Sequence, residues 1–83
     1  MARIIDGQKM NMVGKQVRKF RIEHEMSQQA LADKLETIAV YICRGSISRI
    51  EEQTRTVTDI ELWGLSQILD KPISEFFEQN ISK

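Results

Sequence analysis

Arg44, Gly45, Ser46, Ser48 and Arg49 lie in one stretch, RGSISRIEE, over residues 44–52. Ile47 and Ile50 are three apart, so a helix here buries both and turns Arg44, Gly45, Ser48 and Arg49 outward, with Ser46 partly so. An outward arginine is suited to guanine, because its planar fork can donate to O6 and N7 together. Gly45 has no side chain to hold a ligand at a distance. On spacing alone the same stretch also fits a polar face that meets only water.

Other residues carry weaker chemistry. Gln28 and Gln29 follow Ser27, a good N-cap residue, and the free N–H groups of a helix start suit a phosphate oxygen. Gln29 reads better as a surface residue. Lys15 and Arg18, and Arg3 and Lys9 nearer the N-terminus, are further candidate phosphate donors or plain solvated charges. Cys43 stands at the expected N-cap of the 44–52 helix, where a thiol pKa can fall. It reads first as a small capping side chain. His24 is the only histidine and Cys43 the only cysteine, so no metal site and no cofactor are expected. Nucleophile–base pairs, glycine-rich phosphate loops and clefted carboxylate pairs are equally missing from the pattern, so an enzyme is not expected.

These residues need elements to hold them. Val13, Val17 and Phe20 fall at i, i+4 and i+7 and predict a helix over Met12–His24, with Lys15, Arg18 and Lys19 in solvent. Ser27 opens a second helix that carries Ala30, Leu31 and Leu35 and ends near Thr37 or Ile38. Its small Ala32 lets another helix approach. IAVYIC, residues 38–43, is β-branched and aromatic, but a lone strand is unstable, so an extended, half-buried connector is expected. After the 44–52 helix, QTRTV reads as a loop. Thr58 and Glu61 form a capping-box pattern for a fourth helix that buries Leu62, Leu65, Ile68 and Leu69 and stops at Lys71-Pro72. Ser74 is placed to cap a short fifth helix with Phe76 and Phe77. Trp63 sits off the buried stripe beside Gly64, which hints at close packing there. Trp63, Phe76 and Phe77 are the candidate dimer or partner surface, unless Trp63 covers the bundle's own core.

The expected architecture is all-α: a loose arm over 1–11, then one domain over 12–83, a compact bundle of about five helices containing a helix-turn-helix. The chain has 83 residues, 12 basic and 12 acidic, for a net charge of zero. Neutrality argues against a polyanionic partner only until the chain is divided. Residues 1–35 hold seven basic and four acidic side chains, 36–58 three and three, and 59–83 two and five. The front is basic and the back acidic. No apolar run approaches the ~20 residues of a membrane span, and no apolar stretch follows Arg3 as in a signal peptide. With no cysteine pair for a disulfide, a cytoplasmic location is expected.

The strings VGKQVRKFR, SQQALADKL, ISRIE and TRTVTDIEL…LSQILDKPISEFF, in that order over about residues 12–77, resemble the phage Cro/repressor type of helix-turn-helix domain, the XRE family. The resemblance implies binding to double-stranded operator DNA, often as a homodimer, with the helix that starts near Cys43–Arg44 entering the major groove. It implies base contacts from Arg44, Gly45, Ser46 and Arg49. It implies phosphate contacts from Gln28 and Arg55, beside which Gln29, Ser48 and Lys15 stand as further candidate phosphate contacts, and a structural ion pair between Arg21 and Glu51. The tight turn usual between the second and third helices is about five residues longer here, similar to a minority branch of the family. Glu25 and Gln53 stand where the family has glycine, so those two helix ends are expected to close less well or differently. A second class of function stays open: a protein-binding module of the same fold, such as an antitoxin or anti-regulator, holding its partner at Trp63, Phe76 and Phe77.

Overall fold

Four α-helices and one 3-10 helix follow in order: α1 (Gly14–Glu23), α2 (Gln28–Glu36), α3 (Arg44–Glu51), α4 (Asp59–Leu69) and the 3-10 helix Ile73–Phe77. The computed structural model describes residues 9–77, and no strand occurs among them. The expected fifth helix is therefore a 3-10 turn, and Ser74 lies inside it rather than capping it.

The starts of the helices follow the sequence signals. Ser27 Oγ accepts from the Ala30 N–H at 3.0 Å. At α4 the box closes both ways: Thr58 Oγ1 accepts from Glu61 N, and Glu61 Oε1 accepts from Thr58 N. Asn11 starts α1, and periodicity gave no hint of it. Its Oδ1 accepts from Val13 N at 3.0 Å and Gly14 N at 2.8 Å. Its Nδ2 donates to the carbonyls of Ile50 and Arg55. Met10 N donates to Gln53 O. Residues 9–11, read from sequence as the end of an arm, are thus bound to the bundle. Arg3 and the rest of the expected arm lie outside the described residues.

All four α-helices end on a non-glycine residue in the left-handed region: Glu25 at φ 58°, Ala39 at 65°, Gln53 at 65° and Asp70 at 55°. Each end closes with a backbone hydrogen bond reaching five residues back: Met26 N to Arg21 O, Val40 N to Leu35 O, Thr54 N to Arg49 O and Lys71 N to Ser66 O. That is the bond of the Schellman motif. The expectation that Glu25 and Gln53 would close their helices less well is corrected: the usual closure forms, with the strain carried by an L side chain. Ala39 offers no side-chain hydrogen bond in return. Ala39→Gly is expected to stabilise the domain by about 1 kcal/mol, read as a rise in the urea midpoint at unchanged slope.

The core draws on every element. Val17 and Phe20 of α1 meet Leu31 and Leu35 of α2, Ile47 and Ile50 of α3, and Leu65 and Leu69 of α4. Phe76 closes it, fully buried, with its ring edge-on to Phe20 at 5.2 Å between centroids. Phe76 is therefore corrected from the candidate partner surface to the core. Five residues of a 3-10 helix carry too little periodicity to tell which of two adjacent phenylalanines turns inward.

The connector explains its own strand-like composition. Ile38 and Ile42 are half-buried and Val40 is buried, while Ala39, Tyr41 and Cys43 face out. The extended connector expected over 38–43 is corrected at its start: Ile38 and Ala39 belong to the hydrogen-bonded turn that closes α2, and the alternation of buried and exposed side chains runs on from there. Val40 packs where Gly64 leaves room: a Cβ at Gly64 would stand 2.9 Å from Val40 Cγ2 and 3.1 Å from Leu35 Cδ2. The close packing expected beside Trp63 is this contact.

Candidate nucleic-acid interface

Helix α3 is held from behind by α1 and α2. Ile47 and Ile50 are fully buried, and Glu51 is buried with them. The opposite side carries Arg44 and Arg49, both exposed, with Gly45, Ser46 and Ser48 partly exposed. Arg49 Nη2 donates to Ser46 Oγ at 3.3 Å, which lays the two side chains along one face. Cys43 is the N-cap by backbone conformation but makes no side-chain cap. Its Sγ is 3.5 Å from Ser46 Oγ. The Ser46 hydroxyl and backbone N–H hold the thiol below its ordinary pKa by favouring the thiolate.

The orientation of α3 is set by one buried carboxylate. Glu51 takes Arg21 Nε at 2.7 Å and Nη2 at 3.0 Å, a fork-on-carboxylate pair with side chains 3% and 11% exposed respectively. Gln28 Nε2 adds a third donor at 3.0 Å. Arg21 Nη1 also donates to Met26 O across the turn between α1 and α2. One cluster thus ties the end of α1, the start of α2 and the end of α3. Gln28 keeps its place at the first turn of α2, with one amide N–H already committed. Gln29 is exposed and donates to Asp33 Oδ1 at 3.0 Å, the surface role preferred for it. Lys15 is exposed on the first turn of α1.

Arg55, expected as a phosphate contact, is paired within the fold. Both of its terminal nitrogens reach Glu61, at 2.9 Å each, and Nη1 also donates to Thr56 O. Glu61 is the same carboxylate that caps α4. Its pairing with Arg55 holds its pKa below the ordinary carboxylate value, and raises that of Arg55. With the folded value depressed, the stabilisation from this pair is complete at neutral pH and is lost as pH falls through that lowered value. Arg55 and Glu61 are six apart across a loop, so neither helical nor strand spacing marks them.

His24 Nδ1 lies 2.9 Å from the Phe20 carbonyl, a local donor at the end of α1. No group of three or more potential metal ligands occurs among the described residues. Trp63 is 46% and Ile60 64% exposed on α4, and Phe77 is 39% exposed. With Phe76 inside, Trp63 and Phe77 are what remains exposed of the candidate partner surface. No helix among the described residues is long and apolar enough to cross a membrane.

A family model described as helix-turn-helix matches residues 17–76, which span the stretch from the first buried valine of α1 to Phe76. No curated protein matches the chain.

Proposed function

The chain belongs to the Cro/repressor type of helix-turn-helix family, and from that premise we propose that it is a sequence-specific transcriptional regulator that acts as a repressor and a homodimer. Helix α3 enters the major groove, where Arg44 and Arg49 donate to base edges and Gly45 and Ser46 let the backbone come close. Gln28, at the start of α2, holds a phosphate oxygen with its uncommitted N–H, and Ser48 and Lys15 add phosphate contacts that position the domain. Gln29 contributes least, being tied to Asp33. Repression follows from occlusion: a protein seated on the operator blocks polymerase from the same sequence. The observation that carries this reading is the two-sided character of α3, apolar and paired behind, arginine-bearing in front.

The test is a gel shift with Arg44→Ala and Arg49→Ala. Each is expected to lose about 1–3 kcal/mol of discrimination at one base position. Unchanged affinity and unchanged sequence preference in both variants refute the base-reading assignment. The exposure of Trp63 and Ile60 favours one further reading, a helix-turn-helix module that holds a protein partner there, as an antitoxin would. Under that reading the wild type co-purifies with a partner and binds DNA weakly or not at all, and Trp63→Ala abolishes the co-purification.

A further inference from the structure

Gln53 stands one position past the α3 C-cap at φ 65°, a conformation glycine adopts freely and an L side chain does not. Unlike Ala39, it bonds through both ends of its side-chain amide. Nε2 donates to Asn11 O at 3.1 Å, and Oε1 accepts from Lys9 Nζ at 3.3 Å. Its carbonyl also accepts from Met10 N at 3.0 Å. Asn11 completes the clamp by donating to Ile50 O and Arg55 O. The segment 9–11 is therefore laced to the C-terminal end of α3 and the turn that follows it, although about forty residues separate them in sequence.

We infer that Gln53 is a positioning residue that holds the Lys9 ammonium at the C-terminal edge of the α3 face, where it takes a DNA phosphate. The inference rests on the DNA-binding reading given above. An ammonium has three donors, and Gln53 uses one, so two remain for a phosphate oxygen and water. Neither Lys9 nor its partner is marked by spacing, and the Gln53 side chain, on a backbone at positive φ, bridges the end of α3 to the segment before α1.

The test measures binding to a mixed-sequence DNA duplex as a function of salt, since a phosphate contact is independent of sequence. Wild type, Lys9→Ala, Lys9→Arg, Gln53→Gly and the Lys9→Ala/Gln53→Gly double variant are compared below their melting temperatures. Lys9→Ala is expected to reduce the slope of log K against log salt by about 0.9 per bound copy. Lys9→Arg keeps the wild-type slope. Gln53→Gly keeps the backbone bond to Met10, relieves the strain, and still lowers the slope. The double variant falls no further than Lys9→Ala alone, because Gln53 acts through Lys9. If Lys9 only complements the helix dipole, Lys9→Ala lowers the melting temperature and leaves the slope unchanged, which overturns the inference. A wild-type slope in Gln53→Gly overturns it as well. Wild-type protein that binds no DNA at all overturns both the inference and the functional reading, whereas wild-type binding with an unaltered Lys9→Ala slope overturns the inference alone.

Discussion

Arg21→Met is expected to destabilise the domain by about 3–5 kcal/mol, because it leaves Glu51 buried without its ion pair. The Glu51 side chain is only 3% exposed, and it loses two of its three donors, keeping Gln28 alone. Met26 O loses its donor at the same time. Against a typical total of about 5–15 kcal/mol, that is a large fraction. Urea denaturation followed by circular dichroism reads it as a fall in midpoint. The double variant Arg21→Met/Glu51→Leu removes the stranded charge along with its partner and is expected to recover most of the loss, since a buried ion pair replaced by apolar side chains of similar volume is often neutral. Failure of the double variant to recover would assign the loss to the polar groups that stay unpaired in it, Met26 O and the Gln28 amide, rather than to the stranded carboxylate.

The second large effect is steric. A Cβ on Gly14 would stand 2.1 Å from Ile50 O and 2.9 Å from Gln53 Cγ. The near atom is backbone, so no rotamer change relieves it, and α1 must move away from the end of α3. Gly14→Ala is expected to cost about 3 kcal/mol, at the upper end of overpacking effects, despite the better helix propensity of alanine. At about 4–8 °C per kcal/mol for a domain of this size, the melting temperature falls by roughly 12–24 °C. A melting temperature within a few degrees of wild type would contradict the close approach of α1 to α3. Gly64→Ala meets only side-chain methyl groups, which can yield, so its effect is expected to be smaller.

Periodicity and capping made much of this fold legible. The 13-17-20 stripe, the Ser27 cap and the Thr58–Glu61 box are local signals, each contained within one or two turns, and each corresponds to an observed contact. The Arg21–Glu51 pair was legible only through family resemblance, since thirty residues separate its members. What local pattern missed is tertiary in origin. Asn11 is a favourable capping residue just ahead of α1, a signal that was present, but its bonds to Ile50 and Arg55 exist only once the chain has folded. The Arg55–Glu61 pair carries no local mark because its carboxylate belongs to the next helix. Phe76 and Phe77 differ only in which one the short 3-10 turn aims at Phe20. Glu25 and Gln53 show the opposite error: a residue type that disfavours positive φ adopts it when the closing hydrogen bonds and the packing demand it.

The neutral total charge takes on a different meaning in this arrangement. Arg21 is cancelled by Glu51, and Arg55 by Glu61. Arg44 and Arg49 are left on the exposed side of α3, so the positive face is small and local. Affinity is then expected to depend on base contacts and on pairing of two copies more than on bulk attraction to phosphate.

Selection of bound sequences from a random duplex pool tests the central claim most directly. The expected result is an enriched palindromic consensus whose half-sites contain guanines, with the preference at one guanine lost in Arg44→Ala and at another in Arg49→Ala, since half-site symmetry mirrors protein symmetry. A folded protein that enriches no sequence, or one whose consensus is unchanged by both substitutions, would contradict it.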